Sequence, residues 1–444
     1  MRRSLRPVSL GLPGPSPWDM LRGFTAIRDD PLQFLEATQA RYGDLVAFPV
    51  PGSPALLVND PVHVRHILAG NAGNWRKNTV QYAALARATG PGLLAVSDDR
   101  WLGRRRVAQP AFHHGRLSHI AESVLRAAER VSTSWAELGA GGEVEIDALA
   151  QAATLDVIGR TLFDHDLADS TEKLVAATDL AAELIVSRGR SVIPVPEWLP
   201  TRGNARLKTA VRDLDEVCRA LIDDRRLRGV QEDDSDLLGL LIAAGLPDDA
   251  VRDELVTMVV AGHETVASAL TWTLLLLAQH PLVQVQVRDE VRSSGGDDPA
   301  AGPVLRAVVD ESLRLYPPGW VVSRRATDAD TLGDQDVPSG TVAIISPWLL
   351  HRRPEQWPDP LDFRPDRFLG QSRQPARGDY LPFGLGPRLC IGRDFALVEL
   401  RVIVAELLRD HAVSLPPGRV APPINAFVTL RPRGGLTLQV TAVA

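Results

Sequence analysis

Tyr380–Gly392 reads YLPFGLGPRLCIG and runs straight into a helical pattern over Arg393–Leu408. It carries one of only two cysteines in the chain, at the point where a loop feeds a helix. Gly384, Gly386 and Gly392 surround Cys390, and Arg388 lies two residues before it. Glycines in such a loop permit backbone conformations and close approaches that a Cβ would block. The free N–H groups and positive dipole end of the following helix favour a thiolate over a thiol. A lone thiolate held rigidly suits a soft metal ligand, whereas a nucleophile would also need a base. Without its spacing, Cys390 reads first as a buried structural residue in a glycine-rich turn.

The spacing is more specific. Phe383-Gly384-Leu385-Gly386-Pro387-Arg388-Leu389-Cys390-Ile391-Gly392 matches F-G-x-G-x-R-x-C-x-G at all six fixed positions. That is the haem-binding loop of the cytochrome P450 superfamily, which this chain resembles. The resemblance implies that Cys390 is the thiolate ligand of haem b iron, donating electron density that favours O–O cleavage. It also implies that Arg388 pairs with a haem propionate, that Phe383 packs near the sulfur and that Gly392 belongs to the cofactor loop.

The 444 residues have 45% hydrophobic and 23% charged content, the balance of an ordinary globular protein. A net charge of -6 favours no nucleic-acid partner. Cys218 and Cys390 cannot build a disulfide framework; Cys218 sits in a helical pattern and reads as core, so a reducing compartment fits. MRRSLRPVSLGLPGPSPWDM begins with basic residues but has no apolar run of signal-peptide length, and its prolines make residues 1–30 an extended lead-in. The longest apolar runs, such as Leu240–Ala244 and Leu274–Ala278, fall far short of a membrane span. With no anchor in view, the expectation is a soluble, cytoplasmic, bacterial-type protein, with 31–444 as one catalytic domain.

Along the chain, Leu45–Pro49 and Ala55–Val58 read as a hairpin about Pro51-Gly52-Ser53. Thr79–Ser97 reads as a loop over something functional. Asp98–Gln109 (DDRWLGRRRVAQ) reads as a helix opened by acids and closed by Pro110, with Trp101 and Arg105 on one face. Alone it is a solvated basic helix; in the family the W-x-x-x-R pair serves a haem propionate. Arg104 and Arg106 read as a basic patch on the cysteine side. Two helical patterns over Thr171–Val186 and Arg206–Leu227 flank Pro194-Val195-Pro196, and Glu232–Asp236 reads as a solvated acidic turn.

Leu246–His280 is a helix of unusual length and apolarity that should cross the core. Its midpoint, Ala261-Gly262-His263-Glu264-Thr265, matches the family's A-G-x-D/E-T. Small Ala261 and Gly262 would leave room for a planar cofactor and O2. Thr265 would disturb the regular helix bonding and deliver protons, with Glu264 as its relay partner. His263-Glu264 also begins H-E-x-x-H, but Ala267 replaces the second histidine and excludes the zinc-protease reading. Val266 stands where relatives often carry a second hydroxyl.

Glu311-Ser312-Leu313-Arg314 matches E-x-x-R, a pair one turn apart that alone would pass for a surface contact. In the family it is buried and joins a downstream arginine, matched by Arg367 in Phe363-Arg364-Pro365-Asp366-Arg367-Phe368. Short strands follow over Val321–Ala326 and Thr341–Ser346, with Phe427–Leu430 and Leu436–Thr441 after the last helix. Arg324, or Arg325 one register along, takes the place of another propionate arginine. The resemblance implies substrate contacts at Tyr82, Leu85, Ile185, Thr257, Val321, Val322 and Phe427, a largely apolar set.

The expectation is a mainly α, single-domain cytochrome P450 fold with small β-sheets and haem between the long central helix and the cysteine-bearing helix. The implied reaction is monooxygenation of a hydrophobic small molecule (a terpenoid, polyketide, fatty acid or steroid-like compound) by O2. Electrons would come from a ferredoxin or flavodoxin with its reductase. Oxidative coupling, desaturation or peroxide-driven oxidation on the same scaffold stay open, as does a non-enzymatic haem sensor, which would not need Glu264 and Thr265.

Overall fold

The computed structural model describes residues 10–50, 53–96, 98–139, 141–189, 198–229, 231, 235–294, 301–370 and 378–443. Pro51-Gly52, the proline cluster at 194–196 and most of the acidic run at 232–236 lie outside them. The architecture is mainly helical, with sheets of five, three, two and two strands.

The central helix spans Asp248–Gln279 and is the one described helix long and apolar enough to cross a membrane, yet most of it is buried inside the protein. It crosses the core, as its composition demands. Pro247 and the acids Asp248 and Asp249 start it. Its regularity breaks at Val259–His263, which adopts a π-turn with Ala261 and Gly262 inside it. The Thr265 hydroxyl donates back to the Ala261 carbonyl at 2.8 Å just beyond. A Cβ at Gly262 would stand 2.7 Å from Ile158 Cδ1, on the helix Ile146–Leu162 that packs against the turn, so the tip of the Ile158 side chain would have to move aside.

The cysteine-bearing helix, Arg393–Asp410, packs against Leu117–Glu137 and the central helix. The five-stranded sheet comprises β1 (Leu45–Phe48), β2 (Ala55–Val58), β3 (Trp75–Arg76), β4 (Val322–Ala326) and β5 (Val342–Ile345), in spatial order β1-β2-β5-β4-β3. β1 and β2 form the expected antiparallel pair, and β2 runs parallel to β5.

Four local readings change. Val80–Thr89 is a helix, so the expected loop over 79–97 begins only at Gly90; its weak apolar stripe hid a helix whose inner face lines a cavity. Within the lead-in, Pro17–Arg22 and Phe24–Asp29 are short helices, the first closed by a capping box between Ser16 and Asp19. Phe427 lies in the turn of a hairpin between Ile424–Ala426 and Leu430–Pro432, where a single strand was expected. The break between helices expected near Gly139–Gly142 runs on into a strand, Gly142–Glu145, that pairs with the last strand, Thr437–Ala442.

Candidate functional site

The central and cysteine-bearing helices enclose a cavity of about 340 Å³, a size typical of cofactor and small-molecule sites. Cys390 lies on one wall, and Ala261, Gly262, Glu264 and Thr265 on the other. The loop that presents the cysteine is fixed by its backbone. Cys390 N–H donates to Phe383 O at 3.0 Å, and Gly386 adopts φ +72° with its α-carbon pressed on Leu68. A Cβ there would sit 2.0 Å from the Leu68 carbonyl oxygen, so only glycine fits. The cysteine side chain lies deep in the protein, and the surface it leaves uncovered opens into the cavity.

The expected preference for a thiolate is reversed in the protein alone. Burial pushes the Cys390 thiol above its ordinary range, more than the Gly392 N–H and the charges of Arg105, Lys77 and Arg393 pull it down. A cation at the sulfur would invert that balance. Among the described residues no group of three or more His, Cys, Asp or Glu gathers to hold a free metal ion.

Beside the cysteine, the wall is cationic. Arg105, Arg324, Arg388 and Lys77 all face the cavity. The Trp101 ring sits against two of them, with Arg388 3.8 Å and Arg105 5.7 Å from its centre. Arg388 also pairs with Asp98, yet its Nη1 is buried without a hydrogen-bond partner among the described residues. Arg105 donates to Leu389 O at 2.9 Å. Arg324 donates to Tyr82 Oη at 3.1 Å, whereas Arg325 points away to Asn78 O and Gly340 O. The alternation of β4 thus separates the two registers.

Lys77 was missed by sequence reasoning. Its ammonium donates to Leu94 O at 3.3 Å and lies 4.9 Å from the Tyr82 ring centre, with no ion pair among the described residues. Burial, then Arg324 and Arg388, pull its pKa well below the ordinary lysine range. Four cations line this edge, only Arg388 of them paired with Asp98, and with one of its guanidinium nitrogens unsatisfied among the described residues they form a receptor for anionic groups. The thiol, flat small-residue wall and cationic edge together fit haem with its two carboxylates.

The relay residues do not touch each other. Glu264 Oε1 accepts from Thr429 Oγ1 at 2.9 Å and lies 3.3 Å from Arg431 Nη2; Oε2 has no partner among the described residues. Burial raises the Glu264 pKa against the pull of Arg431 and Thr429. Of the substrate candidates, Tyr82, Leu85, Thr257 and Val322 line the cavity. Ile185 packs in the same core cluster as the cavity-lining Tyr82 and Leu85 without lining the cavity itself, Val321 packs in a separate cluster, and Phe427 gives way to its neighbours Val428 and Thr429. Arg104 leaves the expected surface patch: it turns inward to Glu254 Oε1 at 3.0 Å and Ala250 O, while Arg106 stays exposed.

Glu311 and Arg314 are fully buried and joined by two bonds of 2.7 and 2.8 Å. Arg314 also donates to the carbonyls of His351, Pro360 and Asp362, while Arg367 lies 3.3 Å from Glu311 Oε1. His351 carries the network onward, accepting from Leu381 N–H of the cysteine segment at 2.8 Å while its Nδ1 faces Arg314 O. In the sequence His351-Arg352 continues the family's pattern ahead of Phe363–Phe368, but with no role attached to the histidine.

The family model described as Cytochrome P450 matches residues 12–439. A cyclooctat-9-en-7-ol 5-monooxygenase of Streptomyces melanosporofaciens is 33% identical, with 94% of each chain covered. Protein LUTEIN DEFICIENT 5, chloroplastic, of Arabidopsis thaliana is also 33% identical, over 90% of this chain and 72% of that protein. The crystal structure of CYP175A1 from Thermus thermophilus superposes with a TM-score of 0.80 at 32% identity, covering 97% of this chain and all of that one.

Proposed function

The chain belongs to the cytochrome P450 family and is a haem-thiolate monooxygenase, and on that premise we propose how its residues divide the work. Cys390 is the proximal ligand of haem b, and Trp101, Arg105, Arg324 and Arg388, joined by Lys77, hold the cofactor's carboxylates. Haem, when bound, supplies the activation of O2. Thr265 and Glu264 supply protons on the opposite wall, and Ala261 and Gly262 keep that wall open. The observation that carries this reading is the cavity itself: a lone thiol, residues of the π-turn and a set of cations line one space.

The substrate is a hydrophobic small molecule. Leu85, Leu93, Leu162, Val260, Val322 and Val428 give the cavity an apolar lining. Such a surface rewards burial of alkyl area and offers few polar anchors. Of the terpenoid, polyketide, fatty-acid and steroid classes, a terpenoid-like alcohol or hydrocarbon has the support of the Streptomyces relative's name. A ferredoxin or flavodoxin with its reductase supplies the electrons, docking on the cysteine side where Arg106 is exposed. Residues 31–444 act as one catalytic unit.

The reading is tested by titrating hydrophobic candidates into the haem-loaded protein and following the spin-state shift of the Soret band, then assaying oxygenated product. Thr265→Ala should bind the same compounds but lower product formed per reductant consumed roughly tenfold or more, in the range of a lost proton-transfer group. Coupled turnover in that variant would refute the relay. Lys77→Met should increase cofactor loss about tenfold or more, the worth of one charge-assisted hydrogen bond. Haem transfer to apomyoglobin measures it, and an unchanged loss rate would remove Lys77 from the receptor.

A further inference from the structure

We propose that Arg431, shared between Glu264 and Asp179, is a positioning residue for proton supply to the cavity. The inference rests on Glu264 acting as the cavity's proton donor.

Arg431 lies on the C-terminal hairpin strand Leu430–Pro432, opposite Asn425. That strand is pinned to the central helix at one point. The Leu430 carbonyl accepts from Ser268 Oγ at 2.6 Å and from Trp272 Nε1 at 2.9 Å, both buried. The hairpin thereby holds the guanidinium at a fixed height beside Glu264. Arg431 Nη1 bonds Asp179 Oδ1 at 2.6 Å, and Nη2 lies 3.3 Å from Glu264 Oε1. Glu264 is 1% exposed and the Asp179 side chain 40%, so a single guanidinium links a buried acid to one that meets solvent.

A guanidinium keeps its protons, so Arg431 acts through its field and its geometry. Burial favours the neutral form of Glu264; the Arg431 charge and the Thr429 hydroxyl favour the ionised form; the Asp179 charge again favours the neutral one. An unshared cation would fix Glu264 as a carboxylate, and no cation would fix it as an acid. Sharing places it between those limits, where a group can both give a proton and be reloaded. The other groups facing this cluster do not compete. The neighbouring His263 ring is turned to Val259 O and Thr178, and burial pulls its pKa to about 4. Asp147, which also accepts from Leu436 N–H, adds to the acids that keep Arg431 charged.

The protonated-carboxyl infrared band of Glu264, assigned in the haem-loaded protein by its loss in Glu264→Gln, is titrated in three further variants. Arg431→Met should move the midpoint up by about 1–3 pH units. Asp179→Asn should move it down by a smaller amount, and Arg431→Lys should stay near the parent. The pH profile of product formed per reductant should shift in the same order. Thermal unfolding of each variant reports whether the fold is intact. Equal midpoints throughout, or shifts of one sign in Arg431→Met and Asp179→Asn, would overturn the proposal while leaving Glu264 as donor. Unchanged coupling in Glu264→Gln would sink the donor reading and this inference with it.

Discussion

Arg314→Ala is expected to cost about 3–5 kcal/mol of stability, because it leaves a carboxylate buried without its cation. Glu311 would keep Arg367 at 3.3 Å and the Arg364 N–H at 2.9 Å, but would lose its bidentate partner. Three backbone carbonyls would lose a donor at the same time. The effect should reach the cofactor, because His351 joins this network to Leu381, nine residues before Cys390. Denaturant unfolding and haem content per chain measure the two consequences. A midpoint near the parent's with full haem would show the pair to be dispensable.

The same histidine sets a pH dependence. Burial, ahead of any charge, pulls His351 from an ordinary 6.5 to about 3 in the folded protein. As pH falls from about 6.5 toward 3, the unfolded chain takes up a proton that the folded chain refuses. Stability must therefore fall with acidification through that window. His263, pulled to about 4 by burial, adds to the loss over a slightly narrower range.

Motifs were legible in the sequence where chemistry requires fixed residue types at fixed spacing. Cys390 with its glycines, Glu311 with Arg314, and Ala261 to Thr265 are all of this kind, and the helices that carry them have strong apolar patterning. Partners brought together by tertiary packing alone were not legible. Lys77 stands in no periodic pattern, and only the fold sets it beside Arg324 and Arg388. Arg431 is 167 residues from Glu264 in sequence, and no local signal connects a hairpin arginine to a core helix. Arg104 failed in the opposite sense. Its basic neighbours suggested a surface patch, but the helix turns it toward Glu254, where burial is compensated by an ion pair and a carbonyl.

Cys390→Ser should abolish monooxygenase activity and the strongly red-shifted Soret band of the reduced, carbon monoxide-treated protein. The sulfur is the only thiol on the cavity wall, and it is polarizable and able to become an anion beside a cation. A serine hydroxyl is nearly isosteric but holds its proton far more tightly, so it cannot supply the same electron density. The loop itself does not depend on the sulfur: Cys390 is held through its backbone N–H to Phe383 O, and Gly386 sets the turn. The variant should therefore fold, with circular dichroism matching the parent, and retain haem through Trp101 and the cationic edge. Its reduced carbon monoxide complex should then absorb only at the shorter wavelength. A red-shifted band persisting in Cys390→Ser would show that another group ligates the iron and would overturn the assignment of Cys390.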